Sequence, residues 1–384
     1  MRDNRRMAIR EIEPRDVAAL LAQGSVFIDV REDHERASGQ AEGARGIAKG
    51  TLERDHATHL PDRDASIVLI CQKGGRSMDA ARVLAAAGYS RLASVAGGTS
   101  RWIDEQRAVV VPAMSADARD FNERYSRHLL LPEVGVAGQQ RLQQAKVLMI
   151  GAGGLGSPAA FYLAAAGVGQ LRIADDDVVD RSNLQRQILH TEARIGTPKV
   201  ASAQATLAAL NPRTQVDAVA ERVTADNVER LLEGVDVVLD GADNFPARYL
   251  LNDACVKLGK PLVYGAVQRF EGQVSVFDAG RHRGEQPCYR CLFPEPPPPE
   301  FAPNCAEAGV LGVLPGVIGL LQATEVIKLL LGAGETLAGR LLHFDALAMR
   351  FRETRLRHDP DCPVCAAGRP FPGYIDYAAF CRVT

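Results

Sequence analysis

Residues 146–177, KVLMIGAGGLGSPAAFYLAAAGVGQLRIADDD, decide the fold of the larger part of this 384-residue chain. Lys146 to Ile150 is an apolar run of strand length, and Gly151-Ala152-Gly153-Gly154-Leu155-Gly156 follows as a tight turn. An alanine-rich helical stretch ends near Gly167, and a second apolar run, Gln170 to Ala174, stops at Asp175-Asp176-Asp177. Strand, glycine turn, helix, strand is a βαβ unit, the seed of a parallel sheet. The glycines let phosphates approach the backbone at a helix N-terminus, where unpaired N–H groups favour anions. Asp175, about twenty positions after Gly156, has the spacing of a carboxylate that binds ribose hydroxyls, and Asp177 stands beside it.

By itself G-x-G-x-x-G fits a dinucleotide as well as a mononucleotide. The residues downstream separate the two. Asn183-Leu184-Gln185-Arg186-Gln187 and Pro198-Lys199 bring positive charge and amide donors toward a triphosphate, more than a neutral nicotinamide end requires. Asp240-Gly241-Ala242-Asp243-Asn244, just after an apolar run at Val235 to Leu239, adds carboxylates suited to Mg²⁺. Further strands are expected at Pro261 to Val263 and Gln273 to Phe277. Three function classes stay open on these residues: ATP-dependent adenylyl transfer, a nicotinamide-dependent oxidoreductase, and a non-catalytic docking scaffold.

Four of the eight cysteines fall into two C-x-x-C pairs, Cys288/Cys291 and Cys362/Cys365. Each pair presents two thiolates from one tight turn, and two such turns complete the closed S₄ shell of a structural Zn²⁺ site. A disulfide pair or a redox motif is the alternative. Between the pairs, the proline-rich Phe293 to Glu300 reads as an exposed, extended loop. Val310 to Leu331 is the most apolar segment, but Gly312, Pro315, Gly316, Gly319, Gln322, Glu325 and Lys328 interrupt it, which suits a buried helix better than a membrane span.

Ahead of this, residues 8 to 110 alternate short apolar runs with helical stretches, as a small α/β unit does. Ser25 to Val30 and Ser66 to Cys71 read as buried strands, and Ser77 to Ala87 as a helix ended by Gly88. Cys71-Gln72-Lys73-Gly74-Gly75-Arg76-Ser77 sets a cysteine at a strand end, before a glycine turn and a helix N-terminus. Loop N–H groups, the helix dipole, Lys73 and Arg76 would all favour a thiolate and an attached sulfur anion there. An inert cysteine in a structural turn is the bland alternative. From Val109 to Asp117 periodicity is lost, as in a linker.

The formal net charge of −2 lacks the footprint of a general nucleic-acid binder. No apolar run follows the charged Met1 to Arg6, so neither a secretory signal nor a membrane partner is expected. Cysteines arranged for metal and catalysis suit a reducing cytoplasm.

Ile28-Asp29-Val30-Arg31 with Glu35, Glu42-Gly43-Ala44, the Cys71 to Arg76 loop, and Gly97-Gly98 with Trp102 together resemble the rhodanese family of sulfurtransferases. The resemblance implies that Cys71 carries a persulfide. Family members often have arginine directly after the cysteine; here Gln72 stands there. Arg124-Tyr125-Ser126-Arg127, the glycine loop, Asp175 with Asp177, Asn183 to Gln187, Lys199, Asp240 to Asn244, Tyr289, and Cys305 to Val310 resemble the bacterial adenylyltransferases related to ubiquitin-activating enzymes, which serve molybdopterin and thiamine synthesis. That resemblance implies a Rossmann-like adenylation domain and a homodimer. Arg127 would act on ATP phosphates across the dimer interface, Arg186 and Lys199 on the polyphosphate, and Asp243 with Mg²⁺. It also implies a small ubiquitin-like sulfur carrier ending in Gly-Gly as partner, the molybdopterin synthase small subunit first, and thiosulfate or a cysteine desulfurase as sulfur donor. Cys305 is either a covalent or resolving thiol or a passive one.

The expected organisation is therefore a rhodanese-like α/β domain at 8–112, a linker at 113–120, an adenylation domain with a zinc site at 121–369 and a tail at 370–384. Fusions of this kind usually place the rhodanese unit last, and Tyr374 to Cys381 resembles the start of such a trailing region.

Overall fold

The computed structural model describes residues 9–296 and 309–381 and separates into two units, Met1–Leu131 and Pro132–Thr384. In the first, the strands among the described residues are β1 (Arg10–Ile12), β2 (Val26–Asp29), β3 (Gln40–Ala41), β4 (Arg45–Gly46), β5 (Ser66–Ile70), β6 (Arg91–Val95) and β7 (Val109–Val110). Five of them form a parallel sheet in the order β1-β6-β5-β2-β4. On the central strand β5, Ile67 to Ile70 are fully buried because both faces are covered. Alternate side chains enter different cores: Ile67 and Leu69 meet Ala80, Ala81 and Leu84, while Val68 and Ile70 share a cluster with Phe27, Val17 and Trp102.

Two expectations for this unit shift. The helix after Cys71 spans Gly75–Ala86, starting earlier than its apolar spacing suggests because Gly74 already turns the chain at φ +94°. Within the stretch read as linker, Val109–Val110 pairs antiparallel with β3. A two-residue ladder leaves no periodicity to detect. The helices Ala116–Arg124 and Ser126–Leu129 belong to the same unit.

The second unit holds β8 (Lys146–Ile150), β9 (Gln170–Ala174), β10 (Gln215–Val219), β11 (Val237–Asp240), β12 (Leu262–Gln268), β13 (Glu271–Phe277), β14 (Arg340–Asp345) and β15 (Arg350–Arg355). They form one sheet in the order β10-β9-β8-β11-β12-β13-β14-β15. Pairing is parallel from β10 to β12 and antiparallel beyond. From β8 the chain passes to β9 on one side and later to β11 on the other, so a crevice opens at the C-terminal end of β8. Val147 and Met149 face one core with Leu163 and Val326, whereas Leu148 and Ile150 face another with Leu231 and Tyr249. Burying each such aliphatic side chain contributes about 1.5–3 kcal/mol.

Helix Leu314–Leu331 is long and apolar enough to cross a membrane by length and composition, yet half of it is buried in this unit. Its polar residues explain the packing. Gln322 Nε2 donates to the carbonyls of Asp240 (2.7 Å) and Val263 (3.2 Å), and Glu325 accepts from Leu337 N (2.7 Å) and Lys328 Nζ (2.6 Å). Each reaches a strand end or loop of the same core, which is the place of a core helix.

A charged pair moors the chain's end. On helix Phe245–Leu258, Asp253 accepts two hydrogen bonds from Arg290 (2.8 Å each) and one from the Tyr377 hydroxyl (2.8 Å). The Arg290 guanidinium lies over Tyr249 and Phe380. Asp253 and Arg290 are both buried, so removing one strands the other. Asp253→Ala is expected to cost the second unit about 3–5 kcal/mol, and the double change Asp253→Leu with Arg290→Met markedly less. Urea unfolding followed by far-UV circular dichroism measures this. Fluorescence of Trp102, the single tryptophan, reports the first unit and should keep its midpoint.

Candidate functional site

The loops after β8, β9 and β11 meet at the crevice. Gly151 takes φ +94°, and a Cβ there would lie 2.7 Å from the Gly241 carbonyl oxygen; one on Gly156 would lie 2.0 Å from the Gly151 oxygen. Backbone therefore packs on backbone. Gly154 is nearly as confined, 3.1 Å from Pro315. The N–H groups of Gly153 and Gly154 donate to nothing among the described residues, which is the arrangement that accepts a phosphate. Helix Gly156–Ala165 begins directly behind them.

At the end of β9, Asp175 accepts from Ala152 N (2.8 Å) and Asp177 N (2.9 Å). Burial pushes its pKa up, against the opposing charge of Lys199 and those N–H groups. Lys199 opens helix Lys199–Leu210 and is 5 % exposed. Its ammonium binds Asp177 Oδ2 at 2.7 Å. Asn183 lies in a short 3₁₀ turn and caps it through Asp180 N. Arg186 Nη1 donates to Ser182 O (3.1 Å), and its aliphatic stem lies 3.6 Å from the Cβ position of Gly154. Gln187 is buried, its amide nitrogen beside Gly153 and its oxygen without a partner. That orphaned oxygen and the free N–H groups fit a polar ligand in the crevice.

The acidic loop after β11 divides its roles. Asp240 is fully buried, accepts from Ala242 N (2.9 Å) and lies 3.7 Å from Arg248 Nε. Only Asp243 and Asn244 are exposed. The Asn244 oxygen accepts from Ala247 N (3.0 Å) and caps helix Phe245–Leu258, while its amide donates to Asp243 Oδ1 (3.3 Å). Asp243 is thus the carboxylate open to a cation.

Cys288, Cys291, Cys362 and Cys365 bring their sulfurs within 4.8 Å of one another. Neighbouring separations are 3.7, 4.0 and 3.4 Å. A tetrahedron of 2.3 Å Zn–S bonds has edges of about 3.8 Å, so the four thiols fit zinc and form no disulfide. Donation from Cys288 pulls the Cys362 thiol well down, while hydrogen bonding with Cys291 pushes Cys288 up. Four thiolates together need a cation between them. Three of the cysteines are fully buried, leaving a closed, structural site.

In the first unit, Cys71 follows β5 and is 1 % exposed. Its sulfur accepts from Gly74 N (3.2 Å) and Ser77 Oγ (3.4 Å). Behind it, Thr99 N binds the Cys71 carbonyl at 2.8 Å, and a Cβ on Gly98 would strike that oxygen at 2.1 Å. Arg76 gives both guanidinium arms to Glu35 (2.7 and 2.6 Å). Burial raises the Glu35 pKa, but Arg76 outweighs it and the net shift is downward. The two free cations expected at this loop are therefore one: Lys73 is exposed, and Arg76 is bound to a carboxylate. Gln72 is held by Arg31 Nη1 (3.2 Å) and Ser100 Oγ (3.0 Å).

The crevice of the second unit collects Gly151, Gly153, Gly154, Gly156, Asp175, Asp177, Asn183, Arg186, Gln187, Lys199, Asp243 and Asn244. Arg127 lies instead in the first unit, lining a cavity of about 490 Å³ with His34, Glu35, Gln72, Asn122 and Ser126. Cys305 lies outside the described residues. Sequence reasoning gave no role to His190, which turns out buried against the glycine loop (Nε2 to Ala152 O, 2.9 Å). A single histidine has no spacing signal to find.

The model of the ThiF family matches residues 125–364, well over half the chain, and that of the rhodanese-like domain matches residues 13–105. The chain belongs to the ThiF family. Among curated ThiF relatives it is 52 % identical over 260 residues to the sulfur carrier protein adenylyltransferase of Thermus thermophilus, covering 67 % of this chain and 96 % of that protein. It is likewise 52 % identical over 272 residues to the SAMP-activating enzyme E1 of Haloferax volcanii, covering 71 % and 98 %. Against the adenylyltransferase and sulfurtransferase MOCS3 of Mus musculus, identity is 52 % over 268 residues, 70 % of this chain and 57 % of that one. Among solved structures, E. coli MccB shares the fold at a TM-score of 0.55 and 22 % identity, over 64 % of this chain and 75 % of that chain.

Two predictions follow from the site's chemistry. Purified protein should contain about one zinc per chain by atomic emission, and Cys362→Ser should lose it together with the stability of the second unit. Protein folded normally but free of zinc would refute the assignment. Asp240 supplies the second. Burial, only partly offset by Arg248, pushes its folded-state pKa from 3.8 up to about 6. The folded chain thus holds this proton longer than the unfolded one, so the stability Asp240 contributes is complete below pH 3.8 and is lost as pH rises to about 6. Asp240→Asn should flatten that part of the stability curve, leaving the variant the more stable protein at pH 7. Melting temperatures from pH 4 to 7 decide it.

Proposed function

We propose that this chain activates the C-terminal carboxylate of a small ubiquitin-like sulfur carrier with ATP and then replaces the activated oxygen with sulfur delivered from Cys71. The observation that carries the reading is the gathering of free loop N–H groups, Asp175, Lys199, Arg186 and the open carboxylate of Asp243 around one crevice. The names of the relatives support it, and the rhodanese-like match supports the sulfur half.

Chemically, the carrier's terminal carboxylate attacks the α-phosphorus of ATP, pyrophosphate leaves, and an acyl-adenylate forms. Negative charge grows on the phosphates as this happens. Lys199, Arg186 and the N–H groups of Gly153 and Gly154 stabilise it, with Arg127 reaching in across a homodimer interface. Asp243 would hold Mg²⁺, which supplies further charge neutralisation on the phosphates. Asp175 orients the ribose. Terminal sulfur of a Cys71 persulfide then attacks the acyl carbon and AMP leaves, giving an acyl disulfide. A second thiol attacks Cys71 Sγ to release the thiocarboxylate, and Cys305 is the candidate within this chain. Tethering raises the effective concentration of the persulfide near the adenylate. Thiosulfate or a cysteine desulfurase would load Cys71, and a reducing cytoplasm keeps its thiols available.

Incubation of the full chain with Mg-ATP, thiosulfate and purified molybdopterin synthase small subunit tests this, read as the intact mass of the carrier. One oxygen-to-sulfur exchange at the terminus is expected. Cys71→Ala should abolish the exchange yet leave carrier-dependent ATP–pyrophosphate exchange within about 2-fold, the sites being separate. Sulfur exchange surviving in Cys71→Ala would remove Cys71 from the reaction. An unaltered mass with several carriers, beside tight binding of NAD, would overturn the reading.

A further inference from the structure

Three of the segments that line the nucleotide crevice of the second unit are the glycine loop, residues 183–187, and the start of helix Lys199–Leu210. One residue is tied to all three, to the first and third by its side chain and to the second by its backbone N–H, which donates to Gln187 O (3.1 Å). His190 is 5 % exposed and lies three residues beyond Gln187, the end of the second segment. Its Nε2 is 2.9 Å from the Ala152 carbonyl oxygen, and its Nδ1 is 3.0 Å from Ser202 Oγ, one turn into the helix that Lys199 opens. A carbonyl only accepts, so Nε2 carries the proton and Nδ1 accepts from the Ser202 hydroxyl. Burial, first among its influences, lowers the His190 pKa and keeps this neutral tautomer.

The bond falls on a critical peptide. Ala152 is fixed from both sides, its N–H by Asp175 Oδ2 (2.8 Å) and its carbonyl by His190 and by Ser157 Oγ (3.2 Å). Rotation of the Ala152–Gly153 peptide would turn the Gly153 N–H away from a bound phosphate and disturb the neighbouring Ala152 N–H that holds the Asp175 carboxylate. Lys199 is tied into the same frame through Asp177, whose carbonyl accepts from Lys199 N (2.9 Å).

We propose that His190 is the positioning residue of the nucleotide crevice, a strut that sets the spacing between the glycine loop and the polyphosphate-binding segments. It touches no substrate. Because it joins segments, its effect grows with the length of nucleotide that bridges them. AMP relies on the glycine loop and Asp175, whereas ATP engages Arg186 and Lys199 too. This inference rests on the adenylylation reading.

Calorimetric titration of the full-length protein with ATP and with AMP, in the presence of Mg²⁺, tests it. His190→Phe keeps the volume and removes both hydrogen bonds; His190→Gln can restore the donor to Ala152; Ser202→Ala removes only the partner of Nδ1. His190→Phe is expected to weaken ATP at least about 10-fold and AMP no more than about 3-fold, with His190→Gln returning ATP binding to within about 3-fold of wild type. Ser202→Ala should fall between. Zinc content and circular dichroism check that each variant is folded. Equal weakening of ATP and AMP, or no rescue by glutamine, would reduce His190 to core packing and overturn the strut. If His190→Phe does not fold, Ser202→Ala carries the test: an ATP loss no larger than its AMP loss refutes the proposal. Wild-type protein that binds AMP as tightly as ATP would instead sink the polyphosphate reading beneath it, a result visible before any variant is made.

Discussion

Backbone contact between the loops after β8 and β11 is the constraint on which the second unit's site depends. Gly151, Gly156 and Gly241 pack so closely that any Cβ would fall within 2.8 Å of a carbonyl oxygen. Real side chains do not tolerate that distance, so the loops either carry glycine or separate. Held together, they set the Gly153 and Gly154 N–H groups on one wall of the crevice and Asp243 on the other. A charged ligand then meets fixed dipoles instead of solvent, and little reorganisation remains to be done at the moment of reaction.

The wall that carries Asp243 has its own anchor. Asn244 caps helix Phe245–Leu258, Asp253 on that helix binds Arg290, and Arg290 lies between the two cysteines of the first thiol pair. Tyr289 N also donates to Asn252 Oδ1 at 2.8 Å. The four-thiol cluster is therefore continuous, through buried polar bonds, with the helix that follows directly on Asp243 and its N-cap Asn244. A closed metal site contributes no chemistry of its own. Here it would cross-link two turns, Cys288–Cys291 and Cys362–Cys365, that also share a small apolar cluster with Val256, Ala279 and Val364.

Much of this was legible because glycine, cysteine and apolar spacing leave marks in sequence. The βαβ unit, the two C-x-x-C pairs and the cysteine before Gly74-Gly75 all follow from residues with narrow physical uses. What escaped has a common cause. Strand β15, Arg350–Arg355, is exposed along its length and mixes charges with Phe351, so no hydrophobic period announces it. Val109–Val110 is too short for one. Asn244 and Arg76 were read as facing ligands from their motifs, and the fold shows the protein partner each has as well: one caps a helix and the other pairs with Glu35. Spacing places a side chain near a site; only the fold says which partner it has already taken.

That last point bears on how the Cys71 loop handles charge. With Arg76 committed to Glu35, the nearest fixed donors to the sulfur are Gly74 N and Ser77 Oγ. A persulfide anion held by backbone dipoles and a hydroxyl is stabilised without being locked in an ion pair, and a nucleophile must leave its cradle to react. A guanidinium bound directly to the sulfur would lower its energy more and its reactivity with it. Glu35 holds Arg76 in place by an ion pair, so that guanidinium does not claim the sulfur. In the proposed reaction the same logic would separate the two halves of the chain: direct cations where charge accumulates on phosphate, and weaker, directional donors where sulfur has to be given away.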